Sequence, residues 1–279
     1  MSTLKIAVLD LNEGVKNEGM RCIREILQRI KTNQYTHLEW TEFEVRKSIH
    51  IPSLDFDIYI SSGGPGSPLE SKETSWEKAY FNWIGSVMDW NSNPNNIKKK
   101  YVFLICHSFQ LACRYFEIAE VIKRKSTSFG VFPIHMLKHD DTVDPIFDGL
   151  QDPFYGVDSR DYQVVQPNKL RVHQMGGEIL CIEKERPHVP LERAVMAIRF
   201  NPYMVGTQFH PEADAEGMSM YLLKEEKKQH VIEHHGFEKW ESMIAHLNDP
   251  DKISLTNSQI LPNFILQSIS SILNPYSLS

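Results

Sequence analysis

The order of apolar and polar residues predicts an α/β fold: a doubly wound, mostly parallel sheet with flanking helices, plus a C-terminal helical extension. Three observations predict it. Short apolar runs alternate with stretches of helical period through the first 120 residues. Turn signals then punctuate a strand-rich middle, and the composition changes after about residue 222 to Lys224-Glu225-Glu226-Lys227-Lys228. The expected division is residues 1–222 as the α/β domain and residues 223–279 as the extension.

Lys5 to Leu11 reads as a buried strand, and after Gly14 a helix runs through Ile30 with Met20, Ile23, Leu27 and Ile30 on one face. Leu38 to Val45 is a second strand. Phe56 to Ser61 is a third, ending in a glycine-rich loop. Trp76 to Trp90 is a helix with Ala79, Trp83, Val87 and Trp90 turned inward, and Asn91 to Lys100 is a polar connection. Tyr101 to Ile105 is an apolar strand running straight into a helix, because Phe109, Ala112, Cys113, Phe116 and Ala119 recur at helical spacing. Lys123-Arg124-Lys125 reads as an exposed helix end. Residues 128–200 are strand-rich, with turns at Asp148-Gly149, Gln166-Pro167-Asn168 and Gly176-Gly177. In the extension, Val231, His235, Phe237, Trp240, Met243, Ile244 and Leu247 form one apolar stripe, which Asn248-Asp249-Pro250-Asp251 breaks. Ile260, Leu261, Phe264, Ile265, Ile269 and Ile272 form a second.

Bulk properties narrow the function classes. A chain of 279 residues that is 41% apolar supports a sizeable core. The formal charge of −6, with no basic run interleaved with aromatics, argues against a nucleic-acid partner. No apolar stretch reaches membrane-spanning length, so no membrane association is expected. Met1 leads directly into a strand with no signal peptide, and Cys22, Cys106, Cys113 and Cys181 show no framework spacing. These features predict a cytoplasmic protein with reduced thiols, Cys22 and Cys113 lying on apolar helix faces. His230 and His234, with His235 beside them, have the spacing of helical metal ligands but lack a third ligand; they read as a solvated helix face. No metal and no cofactor are expected.

Two segments about a hundred residues apart carry the chemistry. Val102-Phe103-Leu104-Ile105-Cys106-His107-Ser108-Phe109-Gln110 places Cys106 at a strand-to-helix junction, where the unpaired amides of a helix start favour a thiolate. Val205-Gly206-Thr207-Gln208-Phe209-His210-Pro211-Glu212 ends an apolar strand with a histidine and a carboxylate two residues apart, on one side of an extended chain. A thiolate, a base and a carboxylate that orients the base are the parts needed for acyl transfer through a thioester. Each has a bland competitor. Cys106 alone is compatible with a core cysteine, and Gly63-Gly64-Pro65-Gly66 with a tight turn, though it lacks the lysine-serine ending of an ATP-binding loop.

These residues resemble the class I glutamine amidotransferases, most closely the amidotransferase domain of GMP synthase and its stand-alone relatives, over about residues 4–222. The family's G-x-Q-F-H-P-E motif stands in full at Gly206 to Glu212, and Ser61-Ser62-Gly63-Gly64-Pro65-Gly66 is similar to its oxyanion loop. The resemblance implies a flavodoxin-like fold and catalytic residues Cys106, His210 and Glu212. It implies oxyanion-hole amides from Gly64 and His107, and substrate contacts from Gly63 and Gln110. The chain departs from the family at the nucleophile, where small residues normally flank the turn two positions either side. Ser108 fits that rule. Leu104 does not, and predicts an opened elbow or a displaced neighbouring loop. The family's S-H-x-D segment, which holds the amino-acid end of the substrate, is nearest to Ser159-Arg160-Asp161.

The reaction implied is hydrolysis of the glutamine side chain to glutamate and ammonia. No ATP-pyrophosphatase domain follows residue 222 in the sequence, so ammonia would pass to a separate synthetase subunit. Two other readings remain: hydrolysis of a γ-glutamyl conjugate by a γ-glutamyl hydrolase, and a non-catalytic regulatory homologue. For the extension, one expectation is that both stripes extend the core; the other is a homodimer or synthetase-docking surface.

Overall fold

The computed structural model describes residues 3–138, 142–186, 191–223, 225–247 and 249–275. Its elements in chain order are β1 (Leu4–Asp10), α1 (Glu18–Asn33), β2 (Leu38–Glu44), β3 (Ile58–Ser61), α2 (Ser75–Ser92), β4 (Tyr101–Ile105), α3 (His107–Tyr115), β5 (Glu120–Met136), β6 (Phe154–Val165), α4 (Lys169–Gln174), β7 (Glu178–Glu183), β8 (Val195–Asn201), β9 (Met204–Thr207), α5 (Ala215–Leu222), α6 (Glu225–His235), α7 (Phe237–Leu247) and α8 (Leu255–Leu273). One sheet runs β2-β1-β3-β4-β9-β8-β7-β5-β6. The first five strands pair in parallel and the remaining pairings are antiparallel, so the sheet is mixed.

Helices cover both faces of the parallel half, because its strands are apolar on both sides. On β1, Leu4, Ile6 and Val8 face a core built with Met20, Ile23, Ile26, Leu27 and Ile30 of α1. Ala7 and Leu9 face the opposite core, with Tyr80, Trp83, Ile84 and Val87 of α2 and Phe109, Leu111, Ala112 and Cys113 of α3. Asn17 caps α1 by accepting from the Gly19 amide at 2.7 Å. The inward stripe of α2 is displaced from the one expected: Ala79 and Trp90 are only half-buried, and Trp90 donates to the Lys98 carbonyl instead. Tyr80 takes the inner place because its hydroxyl meets Ser61 at 2.9 Å, which satisfies a polar atom that burial would otherwise penalise.

Two local expectations are corrected. α3 stops at Tyr115, since Glu117 adopts φ 51°, and Ala119 lies beyond the helix. Lys123-Arg124-Lys125 is not a helix end but part of β5, where alternation turns Arg124 inward while Lys123 and Lys125 stay exposed. The turns at Gly149, Gln166 and Gly176 are where expected, each with positive φ.

The second stripe of the extension lies along α8. Ile260, Leu261, Phe264, Ile265, Ile269 and Ile272 are buried in the α1 side of the core, Phe264 edge-on to Phe103 of β4. The first stripe lies along α6 and α7: Val231, Met243 and Leu247 are buried with Val131, Val157 and Met218, whereas Phe237 is exposed. The side chains of His230, His234 and His235 fall outside the described residues. No described helix is long and apolar enough to cross a membrane.

Candidate active site

The parallel strands β3, β4 and β9 lie side by side with Ser61 opposite Leu104 and Ile105 opposite Thr207. Their carboxyl ends therefore bring the Gly63–Gly66 loop, Cys106 and the His210–Glu212 segment to one edge, where ligands bind in open α/β sheets. Cys106 holds φ 48° and ψ −97° between β4 and α3. A non-glycine residue rarely occupies this region, and holding it there costs about 1–3 kcal/mol, so the surroundings must over-determine the turn. Ser108 helps to do so, its hydroxyl accepting from the Ile105 amide at 2.8 Å and lying 2.9 Å from the Ser61 carbonyl.

Leu104 is accommodated across the sheet. It faces Gly206 on β9, where an added Cβ would come within 3.2 Å of the Leu104 Cβ and 2.9 Å of the Phe109 ring. Gly206 thus leaves room for Leu104 and Phe109 at this point of the sheet.

His210 Nδ1 lies 2.8 Å from Glu212 Oε1, and the thiol of Cys106 is within hydrogen-bonding reach of the His210 ring. Burial works against the imidazolium, yet the Glu212 carboxylate and the Cys106 sulfur outweigh it and hold His210 well above its ordinary pKa. Glu212 is itself buried. Its Oε2 has no hydrogen-bond partner among the described residues, and its Oε1 sits about one methyl's reach from Gly19 in the first turn of α1. The positive end of that helix compensates part of its charge. Asn257 of α8 donates to the Glu212 carbonyl at 2.7 Å.

The Gly63–Gly66 loop is fixed by several contacts. Gly64 is a close-approach glycine: a Cβ there would stand 2.5 Å from the Leu11 carbonyl. Ser62 Oγ accepts from the Leu11 amide at 3.0 Å and donates to the Gly63 carbonyl at 2.7 Å. Arg46 donates to the Pro65 carbonyl at 2.6 Å, pairs with Glu13 and stacks over Trp76. His107 opens α3, so its amide is among those a helix leaves without an intrahelical partner. Its ring is buried against Trp76; burial, with the charges of Arg46 and Arg114, pushes its pKa down to about 3. A neutral, buried ring is no competitor for the role of base.

A cavity of about 940 Å³ opens over this edge, lined by Gly63, Gly64, Cys106, His107, Gln110, Ser159, Arg160, His210 and Glu212 among others. The residues that the family resemblance marks for catalysis, the oxyanion hole and substrate contact therefore line one cavity. Two are less free than expected. Gln110 donates to Gln208 Oε1 at 3.1 Å, and Gln208 in turn reaches Cys106 Sγ at 3.6 Å. Arg160 is buried and paired with Asp158 at 2.7 Å and Glu183 at 3.4 Å, whereas Ser159 is exposed and its carbonyl lies 4.0 Å from Cys106 Sγ. Arg124 and Arg186 also converge on Glu183, at 3.4 and 2.7 Å. Neither was foreseen, nor was Asn257. Gln208 was legible, since it stands inside the motif that supplies His210.

The family model for glutamine amidotransferase class-I matches residues 8–229. The chain belongs to this family. No curated protein matches it. Among solved structures, this amidotransferase is similar to a glutamine amidotransferase from Thermotoga maritima, with 13% identity, 97% of this chain and 100% of that one covered, and a TM-score of 0.67. It is also similar to a protein from Thermoplasma acidophilum described as part of a GMP synthase, at 18% identity, 79% and 92% coverage and a TM-score of 0.53. The glutaminase domain of Trypanosoma brucei CTPS with bound acivicin gives 12%, 75% and 86%, and 0.54. At these identities the structures establish the fold, and the family match establishes an amidotransferase role in general terms.

Proposed function

We propose that this amidotransferase hydrolyses the side-chain amide of glutamine to glutamate and ammonia through a thioester on Cys106. The observation that carries this reading is the pairing of a strained nucleophile position with His210, itself held by Glu212 at 2.8 Å. Cys106 Sγ attacks the amide carbon, and the imidazolium of His210 protonates the departing nitrogen. His210 then takes a proton from water as it adds to the thioester, and Glu212 keeps Nδ1 protonated and the ring oriented. The amides of Gly64 and His107 face the oxyanion, each worth roughly 3 kcal/mol of barrier.

The cavity's charge supports an amino-acid substrate. Within the buried cluster beside Ser159 and Gln110, the guanidiniums of Arg124, Arg160 and Arg186 pair, among the described residues, with the carboxylates of Asp158 and Glu183. Burial and the neighbouring Arg160 charge pull Arg124 below its ordinary pKa, as expected of a cation short of counter-charge. The α-carboxylate of a glutamyl substrate supplies that charge. Incubation with a glutamine-analogue electrophile followed by mass measurement tests the reading: a single adduct on Cys106, prevented by excess glutamine, is expected. An unmodified Cys106, with no ammonia formed from glutamine, overturns it.

A further inference from the structure

We infer that the preferred substrate is a γ-glutamyl amide whose amine carries an apolar side chain, held against a wall that α6 and α7 contribute to the active-site cavity. The inference rests on the thioester chemistry proposed above. The two ends of the substrate are distinguished by their neighbours. The cationic cluster beside Ser159 and Gln110 suits the α-carboxylate, and the leaving nitrogen must lie at His210, which gives it a proton. His210 is anchored on β6 by its amide, which donates to the Val157 carbonyl at 2.8 Å. The Val157 side chain belongs to an apolar cluster with Val131, Val231 of α6 and Met243 of α7. Val231 and Met243 line the same cavity as Cys106, together with Phe129 and Phe132 of β5. Met243 Cε and the tip of the Phe132 ring both close on Gly130, at 3.4 and 3.3 Å from where its Cβ would stand, and its φ of 141° suits glycine.

Ammonia needs none of this. It is small and polar, and an apolar wall neither binds nor orients it. A volume of about 940 Å³ lies near the top of the range of roughly 300–1,000 Å³ that drug-sized ligands fill, well beyond one glutamine. An amine with a hydrocarbon side chain, such as an apolar amino acid joined through its nitrogen, fills the space and buries its surface. The covalent steps are unchanged. Cys106 Sγ bonds the γ-carbonyl carbon, the C–N bond breaks, and the amine leaves with the proton from His210. Water then adds, returns a proton to His210, and breaks the C–S bond to release glutamate.

The test compares kcat/KM of the full-length protein for glutamine, γ-glutamylglycine and γ-glutamylphenylalanine, with Met243→Gln and Met243→Leu measured alongside. The expected result is a value for γ-glutamylphenylalanine at least tenfold above both others. Met243→Gln should lower the ratio to glutamine at least fivefold, and Met243→Leu should keep it. Glutamine turned over as well as γ-glutamylphenylalanine overturns the inference and leaves the glutaminase reading standing. No turnover of any of the three, with Cys106 refractory to the electrophile, overturns that reading itself. Should Met243→Gln not fold, the wild-type comparison still decides the preference.

Discussion

Replacing Gly63 by alanine would put a methyl carbon 2.9 Å from Cε1 of His210 and 3.6 Å from the Cβ of Cys106. Carbon atoms pack at about 3.5–4.0 Å, so the imidazole or the loop must give by roughly 0.6–1.1 Å. If the ring moves, it leaves the line between Glu212 and the thiol, and a misplacement of about 1 Å costs on the order of 10²-fold in rate. If the loop moves, it works against Ser62, bonded to Leu11, and Arg46, bonded to Pro65, and carries the Gly64 amide away from the oxyanion. Loss of one such donor costs about 10²–10³ in kcat. Either way kcat for glutamine falls about 10²-fold or more, whereas overpacking lowers stability by only about 1–3 kcal/mol. Steady-state ammonia release and thermal melting of the same preparation separate the two. A variant within threefold of wild-type kcat would refute the arrangement of loop, thiol and ring.

Cys106→Ser should abolish hydrolysis with the fold intact, and Cys106→Gly should raise the melting temperature by an amount equivalent to about 1 kcal/mol, since glycine relieves the positive φ; a lowered melting temperature for the glycine variant would contradict the strain. His210→Asn should cost nearly as much activity as losing Cys106, and Glu212→Gln less; the reverse order in kcat would exchange their roles. Because Glu212 and the thiol's sulfur raise His210, its imidazolium form persists above the unperturbed value of about 6.5. Its contribution to stability is complete below that value and is lost as pH rises through the folded one. The alkaline limb of kcat/KM should therefore lie above pH 6.5 and move down in Glu212→Gln, and a limb that stays put in that variant would exclude Glu212 as the cause. Truncation after Tyr221 should give insoluble protein, because it uncovers the core that six apolar side chains of α8 fill, each worth about 2–5 kcal/mol; a soluble, folded product by sedimentation would refute this.

The parallel half of the fold and the three segments that line the candidate site were legible because their signals are local. A strand buried on both faces is a continuous apolar run, as Tyr101 to Ile105 is. The antiparallel half was legible only as strand-rich, since pairing partners such as β5 with β7 are set by contacts between distant residues. Arg124 shows why its character was missed. Between two exposed lysines it looks like surface, and its burial rests on Gln163 at 2.7 Å and Glu183 at 3.4 Å, both on other strands. Asn257 carries no pattern of its own, being one of four consecutive polar residues, Thr256 to Gln259, in the first turns of α8.

The bond from Asn257 to the Glu212 carbonyl also bears on when the site can work. Synthesis runs from the N-terminus, so Cys106, His210 and Glu212 all leave the ribosome before residues 255–273 exist to dock. Until then the segment carrying the catalytic carboxylate lacks its tether on the α8 side, and the core beneath β4 stands open. The backbone around Glu212 is therefore completed by α8 only after most of the polypeptide has been made.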